Sequence, residues 1–75
     1  MTNADIARIF QSIAEILAIQ GENPFRIRAY ERAAVTIEGL PGDLADVYAT
    51  GGLKGLRNIG GIGEDLALKI EELLK

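Results

Sequence analysis

Residues 56–70 read LRNIGGIGEDLALKI, and they decide the fold because three glycines within four positions precede an apolar pattern with helical spacing. We expect positive φ angles at Gly61 and Gly63, where the missing Cβ atom also leaves room for a close ligand. Ile59 and Ile62 are expected to point into the core and to hold the turn in place. The stretch therefore predicts a glycine hairpin that runs directly into a final helix.

The start of this final helix is a candidate binding site for an anion. The helix is expected to begin at about Glu64, so the free N–H groups of its first turn face solvent beside Gly61 and Gly63. Such groups suit a DNA phosphate, which is bound without reading a base. The alternative is a plain glycine-rich turn between two helices. A nucleotide-binding loop is disfavoured, because the glycines lack the G-x-G-x-x-G spacing, no strand precedes them and no Gly-Lys-Ser/Thr follows.

Two helices are predicted at the amino-terminal end from apolar spacing and capping signals. The first begins at a Thr2 or Asn3 cap and ends at Gly21. The second begins at Asn23-Pro24 and ends at Gly39. The residues expected to face inward are Ile6, Ile9, Phe10, Ile13, Ile16 and Leu17 in the first helix, and Phe25, Ala29, Tyr30, Ala33, Ala34 and Ile37 in the second.

A third helix is expected to be short, capped by Asp43, stopped by Gly51-Gly52 and followed by a turn around Leu53 and Leu56. Its inward-facing residues are Leu44, Val47 and Tyr48, and those of the final helix are Leu66, Ala67, Ile70, Leu73 and Leu74. No segment alternates in the manner of a strand. Residues 1–75 are therefore expected to form one all-α domain of four short helices around a single core, with the glycine hairpin between the last two.

The composition excludes several classes of protein. The 75 residues include no cysteine and no histidine, which excludes a disulfide framework, a thiolate zinc site and catalysis by a thiol or an imidazole. No apolar run approaches the roughly 20 residues that span a bilayer. The amino terminus lacks the basic and apolar stretches of a secretory signal. We expect a cytoplasmic, monomeric protein without membrane contact.

The net charge of −3 has the wrong sign for a nucleic-acid binder. The charges are unevenly distributed, however, because Arg26, Arg28 and Arg32 lie within a segment that holds one acid, Glu31. A local basic face on an acidic domain predicts weak and strongly salt-sensitive DNA binding. The alternative for these arginines is a solvated helix face without a ligand.

The hairpin segment resembles the helix-hairpin-helix motif of DNA-binding proteins. Gly61-Ile62-Gly63, Ala67 and Ile70 stand at that motif's spacing, and Gly60 stands where the motif often has proline. The resemblance implies an all-α fold with a helix-hairpin-helix motif between the last two helices. It also implies non-sequence-specific DNA binding, with Gly61, Gly63 and Glu64 placed against a backbone phosphate.

A second and more specific resemblance involves residues 21–30, GENPFRIRAY. With Ile9-Phe10 before it and Ala33-Ala34 behind it, this stretch is similar to the N-terminal, polymerase-beta-like domain of bacterial family X DNA polymerases. The resemblance covers about residues 4–75, with both motifs in the family's order. It implies the N-terminal module of a DNA repair polymerase, whose partner is gapped or 5′-phosphorylated DNA.

The resemblance assigns further roles to particular residues. The family's 5′-phosphate pocket falls on Arg26, Tyr30 and Arg57, with Asp65 in place of a pocket lysine. The lysine that forms a Schiff base in deoxyribose-phosphate lyase chemistry falls on Lys69. The family also holds a monovalent cation, Na+ or K+, on backbone carbonyls that fall here on Arg57, Ile59 and Ile62. No other cofactor is implied.

Three functions therefore remain open: a DNA-binding module of a repair polymerase, a lyase that uses Lys69, and a protein-interaction domain without DNA activity. The net charge favours the third. Schiff-base chemistry requires an uncharged amine, whereas Asp65 and Glu71 are acidic neighbours of Lys69 in the sequence. We therefore expect weak or absent lyase activity. The alternative to a catalytic role for Lys69 is an ion pair with Asp65. The alternative to a phosphate-binding role for Tyr30 is that of a core aromatic residue.

Overall fold

The computed structural model describes all of residues 1–75 and consists of four helices without a strand. The helices are α1 (Asn3–Ile19), α2 (Pro24–Glu38), α3 (Leu44–Arg57) and α4 (Glu64–Leu74). The predicted all-α fold of four helices is therefore confirmed. None of the four combines the length and the apolar composition needed to cross a bilayer.

The ends of α1 and α2 follow local capping signals. The Thr2 hydroxyl accepts a hydrogen bond from the Asp5 N–H, and the Asp5 carboxylate accepts one from the Thr2 N–H, which completes a capping box. The chain then reverses at Gly21, whose φ of 72° favours glycine. The Asn23 side chain accepts from the Phe25 N–H at 2.8 Å and begins α2. These predicted boundaries are confirmed.

One apolar core joins all four helices. It contains no buried polar or charged residue, and its central aromatic contact is an edge-to-face pair of Phe10 on α1 and Tyr30 on α2, with ring centroids 5.2 Å apart. Small residues allow α1 and α2 to pack closely. The buried residues are Ile6, Ala7, Phe10, Ala14, Tyr30, Ala33, Ala34, Ile37, Leu44, Leu56, Ile62, Leu66, Ala67 and Ile70.

Two residues expected in the core lie on the surface instead. Ile16 is 53% exposed and Phe25 is 76% exposed. The buried face of α1 includes alanines such as Ala14. Ile16 lies on the other side of the helix and therefore points outward. Phe25 precedes Tyr30 by five residues, which places it about 140° around the helix from the buried side. Its ring instead lies 5.3 Å beneath the guanidinium of Arg28.

Helix α3 consists of two helical segments that are separated by a kink at Gly52. The axis is interrupted at Gly52, with φ 61° and ψ −153°, and helical structure then resumes to Arg57. The expected turn around Leu53 and Leu56 is therefore wrong, because both residues lie in the second part of α3 and Leu56 is fully buried. The predicted stop at Gly51-Gly52 is therefore confirmed as a break in the helix, and a second helical segment follows it in place of the turn.

The amino-terminal cap of α3 comes from a distant residue. Asp43 stands at the cap position, but its side chain forms no capping hydrogen bond. The Asn3 amide oxygen instead accepts from the Leu44 N–H at 2.9 Å, and the Asn3 amide nitrogen donates to the Gly42 carbonyl at 2.9 Å. Asp43 is thus the cap residue, as predicted, but the capping hydrogen bond comes from Asn3, which connects the beginnings of α1 and α3.

Candidate nucleic-acid interface

The hairpin between α3 and α4 consists of six residues, 58–63, three of which are glycine. Gly61 has a φ of 88°, as predicted. Gly63 has φ −80° and ψ −177°, which any residue adopts, so the positive φ expected there is wrong. Gly63 is extended because it is the cap residue that turns the chain into α4.

Two isoleucines of the hairpin point into the core, as predicted. Ile62 is 3% exposed within the core, and Ile59 is half-buried and packs against the core. The Ile62 N–H donates to the Ile59 carbonyl at 3.0 Å, which closes the turn between them. The glycine backbone therefore faces outward on a base that is held by apolar contacts.

The outward side of the hairpin presents unpaired donors. The first hydrogen bond of α4 runs from the Ala67 N–H to the Gly63 carbonyl at 2.9 Å, and no side chain caps the helix. A helix amino terminus with free N–H groups attracts anions through hydrogen bonding and the helix dipole. The backbone N–H groups without an acceptor in the chain are those of Gly60, Gly61, Gly63, Glu64, Asp65 and Leu66.

Acidic side chains oppose this attraction. Glu64 and Asp65 both lie in the first turn of α4. The Arg57 guanidinium at the end of α3 lies 3.5 Å from the Glu64 carboxylate and donates a hydrogen bond to it. A phosphate that approaches the hairpin therefore meets an arginine that already has an acidic partner.

A groove of about 510 Å³ lies between α2 and the start of α4. It brings together Arg26, Tyr30 and Asp65, three positions that the family resemblance had assigned to one pocket. Arg57 does not line it. Sequence reasoning missed Glu22, which adds a second carboxylate to the groove; its place directly after Gly21, in the turn before α2, was the available signal.

Tyr30 contributes both to the core and to this groove. The residue is 5% exposed, its ring packs on Phe10, and its hydroxyl forms no hydrogen bond. No buried polar side-chain atom lacks a partner, so the hydroxyl of Tyr30 is open to solvent in the groove. The interpretation of Tyr30 as a core aromatic and its assignment to the pocket are therefore compatible.

The basic residues of α2 carry most of the unpaired positive charge. The ion pairs of the chain join Arg8 to Asp5, Arg57 to Glu64, Lys69 to Glu72 and Lys75 to Glu71. The basic side chains outside these pairs are Arg26, Arg28, Arg32 and Lys54. Three of these four lie on α2, which agrees with the uneven charge distribution in the sequence.

Lys69 has a different partner from the expected one. Its ammonium group lies 3.3 Å from the Glu72 carboxylate, one turn further along α4, and it forms no ion pair with Asp65. The side chain is 34% exposed and does not line the α2–α4 groove. Lys69 therefore lies outside the groove that contains Arg26 and Tyr30.

The backbone carbonyl oxygens assigned to a monovalent cation have lone pairs that are not used in hydrogen bonds. The carbonyl oxygens of Arg57 and Ile62 accept no hydrogen bond from the chain, and that of Ile59 accepts one, from Ile62. A carbonyl oxygen has two lone pairs, so all three oxygens retain one for a cation. The residues fit such an ion, whose charge would offset the acids beside the hairpin.

Comparison with known proteins yields one family. The family model described as a helix-hairpin-helix domain matches residues 1–75, which is the whole chain. A search of curated proteins gives no significant match.

Proposed function

Since this chain belongs to the helix-hairpin-helix domain family, whose members generally bind DNA without sequence specificity, we propose that it binds the phosphate backbone of DNA through the 58–63 hairpin. One observation carries the proposal: six backbone N–H groups between Gly60 and Leu66 lack an acceptor in the chain, and they belong to a turn and helix start whose isoleucines are anchored in the core. Such a surface binds phosphate oxygens without contacting base edges.

Particular residues have distinct roles in this proposal. Gly61 allows the left-handed turn, while Gly63 and Glu64 present the backbone N–H groups that meet a phosphate. Arg57, once released from Glu64, provides a planar guanidinium that matches phosphate geometry. Arg26 adds positive charge from α2, which extends the contact along the DNA strand.

We also propose that the chain acts as a single, monomeric domain at the amino-terminal end of a family X repair polymerase and binds gapped DNA. The similarity of residues 21–30 to that family supports this, as does the groove that brings Arg26 beside Tyr30. Glu22 and Asp65 in the same groove oppose a 5′-phosphate there, so the proposal does not include one. Lyase activity is not proposed, because Lys69 lies outside the groove and pairs with Glu72.

Salt dependence of DNA affinity tests the proposal. Affinity for a labelled gapped duplex is measured by fluorescence anisotropy across a salt series for the wild type, Arg26→Ala and Arg57→Ala. Each variant should weaken binding to unrelated sequences about equally and reduce the slope of log affinity against log salt by roughly one. Arg8→Ala is the matched control, because Arg8 is an exposed arginine on α1 that belongs to neither the hairpin nor the α2–α4 groove. Slopes that match the wild type in both test variants would reject phosphate contacts by these arginines, and no binding at low salt would favour a protein-interaction domain.

A further inference from the structure

The groove between α2 and α4 collects polar groups that have no partner within the chain. Tyr30 is 95% buried, and its hydroxyl opens into the groove without a hydrogen bond. The Arg26 guanidinium and the carboxylates of Glu22 and Asp65 line it, and none of them forms an ion pair. A concave site with a few convergent polar groups and an apolar wall is typical of ligand binding.

The charge of this groove disfavours a phosphate. Two carboxylates face one guanidinium, so a phosphate would gain one favourable partner and meet two like charges. A carboxylate acts only as a hydrogen-bond acceptor at neutral pH. The groove therefore suits a neutral group that carries N–H donors, and in DNA those donors belong to the bases.

We propose that this groove binds the Watson–Crick edge of an unpaired nucleobase, preferentially guanine, whose N1–H and N2 amino groups donate to the Asp65 carboxylate. The inference rests on the proposed DNA binding by the adjacent hairpin. Guanine presents two neighbouring donors that match the two carboxylate oxygens, and unstacked bases are commonly read on this edge. Thymine presents one N–H between two carbonyl oxygens, which a carboxylate repels.

The remaining groups of the groove fit the same ligand. The Tyr30 hydroxyl has a proton to donate to the guanine O6 oxygen. Ala29, Leu66 and the exposed ring of Phe25 line the groove with apolar surface for the flat face of the base. Asp65 is two residues after Gly63, so a strand whose phosphate lies at the hairpin passes close to the groove.

Short hairpin duplexes with one unpaired 5′ nucleotide test this inference. Four labelled probes with 5′-hydroxyl ends are compared at low salt by fluorescence anisotropy: a blunt duplex and overhangs of dG, deoxyinosine or dT. Deoxyinosine differs from dG only by the missing 2-amino group. The dG probe should bind about fivefold more tightly than the deoxyinosine probe, which is at the low end of the discrimination expected from a bidentate base contact. The dT probe should bind like the blunt duplex.

Two variants separate base recognition from general electrostatics. Asp65→Ala should remove the preference for dG and should raise affinity for the blunt and dT probes, because a negative charge is lost. Glu64→Ala is the matched control, since it removes the neighbouring charge outside the groove and should keep the preference. Tyr30→Phe retains the buried ring and should weaken the dG and deoxyinosine probes about equally, because both bases carry the O6 oxygen.

Three results would overturn the inference. One is equal binding of dG and deoxyinosine with the blunt duplex still bound, which leaves the hairpin proposal intact. Another is a preference that survives Asp65→Ala. The third is a 5′-phosphate that tightens binding of the wild type but not of Arg26→Ala, which would assign the groove to phosphate. If no probe binds, including the blunt duplex, the proposed function and this inference fail together.

Discussion

The guanidinium of Arg57 lies 3.5 Å from the carboxylate of Glu64 across the glycine hairpin. Both side chains are substantially exposed, so the pair contributes little to folding. It has a consequence for binding, because a carboxylate occupies the arginine that a backbone phosphate needs. Arg28 and Arg32 on α2 form no ion pair, whereas Glu64 restrains the hairpin's own contribution to DNA affinity.

Replacement of Glu64 by glutamine should strengthen DNA binding about twofold to fivefold at low salt, which corresponds to the energy of an exposed ion pair. The gain arises because Arg57 is released and one negative charge leaves the phosphate site. Anisotropy with a gapped duplex measures it. Glu72→Gln, which frees Lys69 away from the groove, is the control and should give a smaller gain. Unchanged affinity of Glu64→Gln would show that Arg57 does not contact DNA.

The two glycines of the hairpin should respond differently to valine. Gly61→Val should lower both stability and DNA affinity, because a β-branched residue resists a φ of 88° and a Cβ atom there would lie 3.3 Å from the Thr36 hydroxyl. The expected loss of stability is about 1–3 kcal/mol. Gly63→Val should cost less stability, because the backbone there is extended.

Thermal unfolding followed by circular dichroism, together with anisotropy on the folded fraction, compares these two variants. Gly60→Val is a useful control, since Gly60 has no positive φ and nothing near its missing side chain. If Gly63→Val were as destabilising as Gly61→Val, the conformations assigned to the hairpin would be incorrect.

Asn3 should matter more to stability than the residue at the cap position itself. Asn3→Ala removes the hydrogen bonds to Gly42 and Leu44 and should cost about 1 kcal/mol, as for other lost amino-terminal caps. Asp43→Ala should cost less, because the Asp43 side chain caps nothing. Urea denaturation of the two variants provides the comparison. A larger loss for Asp43→Ala would contradict the long-range cap.

Tyr48 should make stability sensitive to alkaline pH. Its hydroxyl donates to the Glu71 carboxylate at 2.8 Å, and this bond raises the pKa of Tyr48 above its ordinary value of 10.0. A group whose pKa is raised by folding contributes its stability fully below the unfolded pKa and loses it as pH rises through the folded pKa. The contribution should therefore be constant at neutral pH and decline above about pH 10.

Comparison of the wild type with Tyr48→Phe measures this decline. The difference in unfolding free energy between the two proteins should shrink as pH increases through the alkaline range. Glu71→Gln offers a second variant, because it keeps an acceptor for the hydroxyl but removes the charge that opposes ionisation. A difference that stays constant to high pH would exclude the Tyr48–Glu71 bond as its source.

Local sequence signals were enough to predict the four helices, most of their ends and the position of the hairpin. These features depend on interactions within a few residues. The Thr2 and Asn23 caps, the reversal at Gly21 and the left-handed Gly61 all follow from side-chain hydrogen bonds or backbone conformations that neighbours in sequence decide. The apolar spacing also identified Tyr30 and Ile62 as core residues, because each lies among apolar residues that face the core.

The pairing of side chains from distant parts of the chain depends on how the helices pack. Asn3 reaches Leu44 because packing brings the starts of α1 and α3 together, and no local signal reports that proximity. Asp65 and Tyr30 share a groove because the start of α4 lies opposite α2 in the folded domain. Helix formation is governed by periodicity along one chain segment, but docking depends on how whole faces fit, and pairwise contacts follow from that fit.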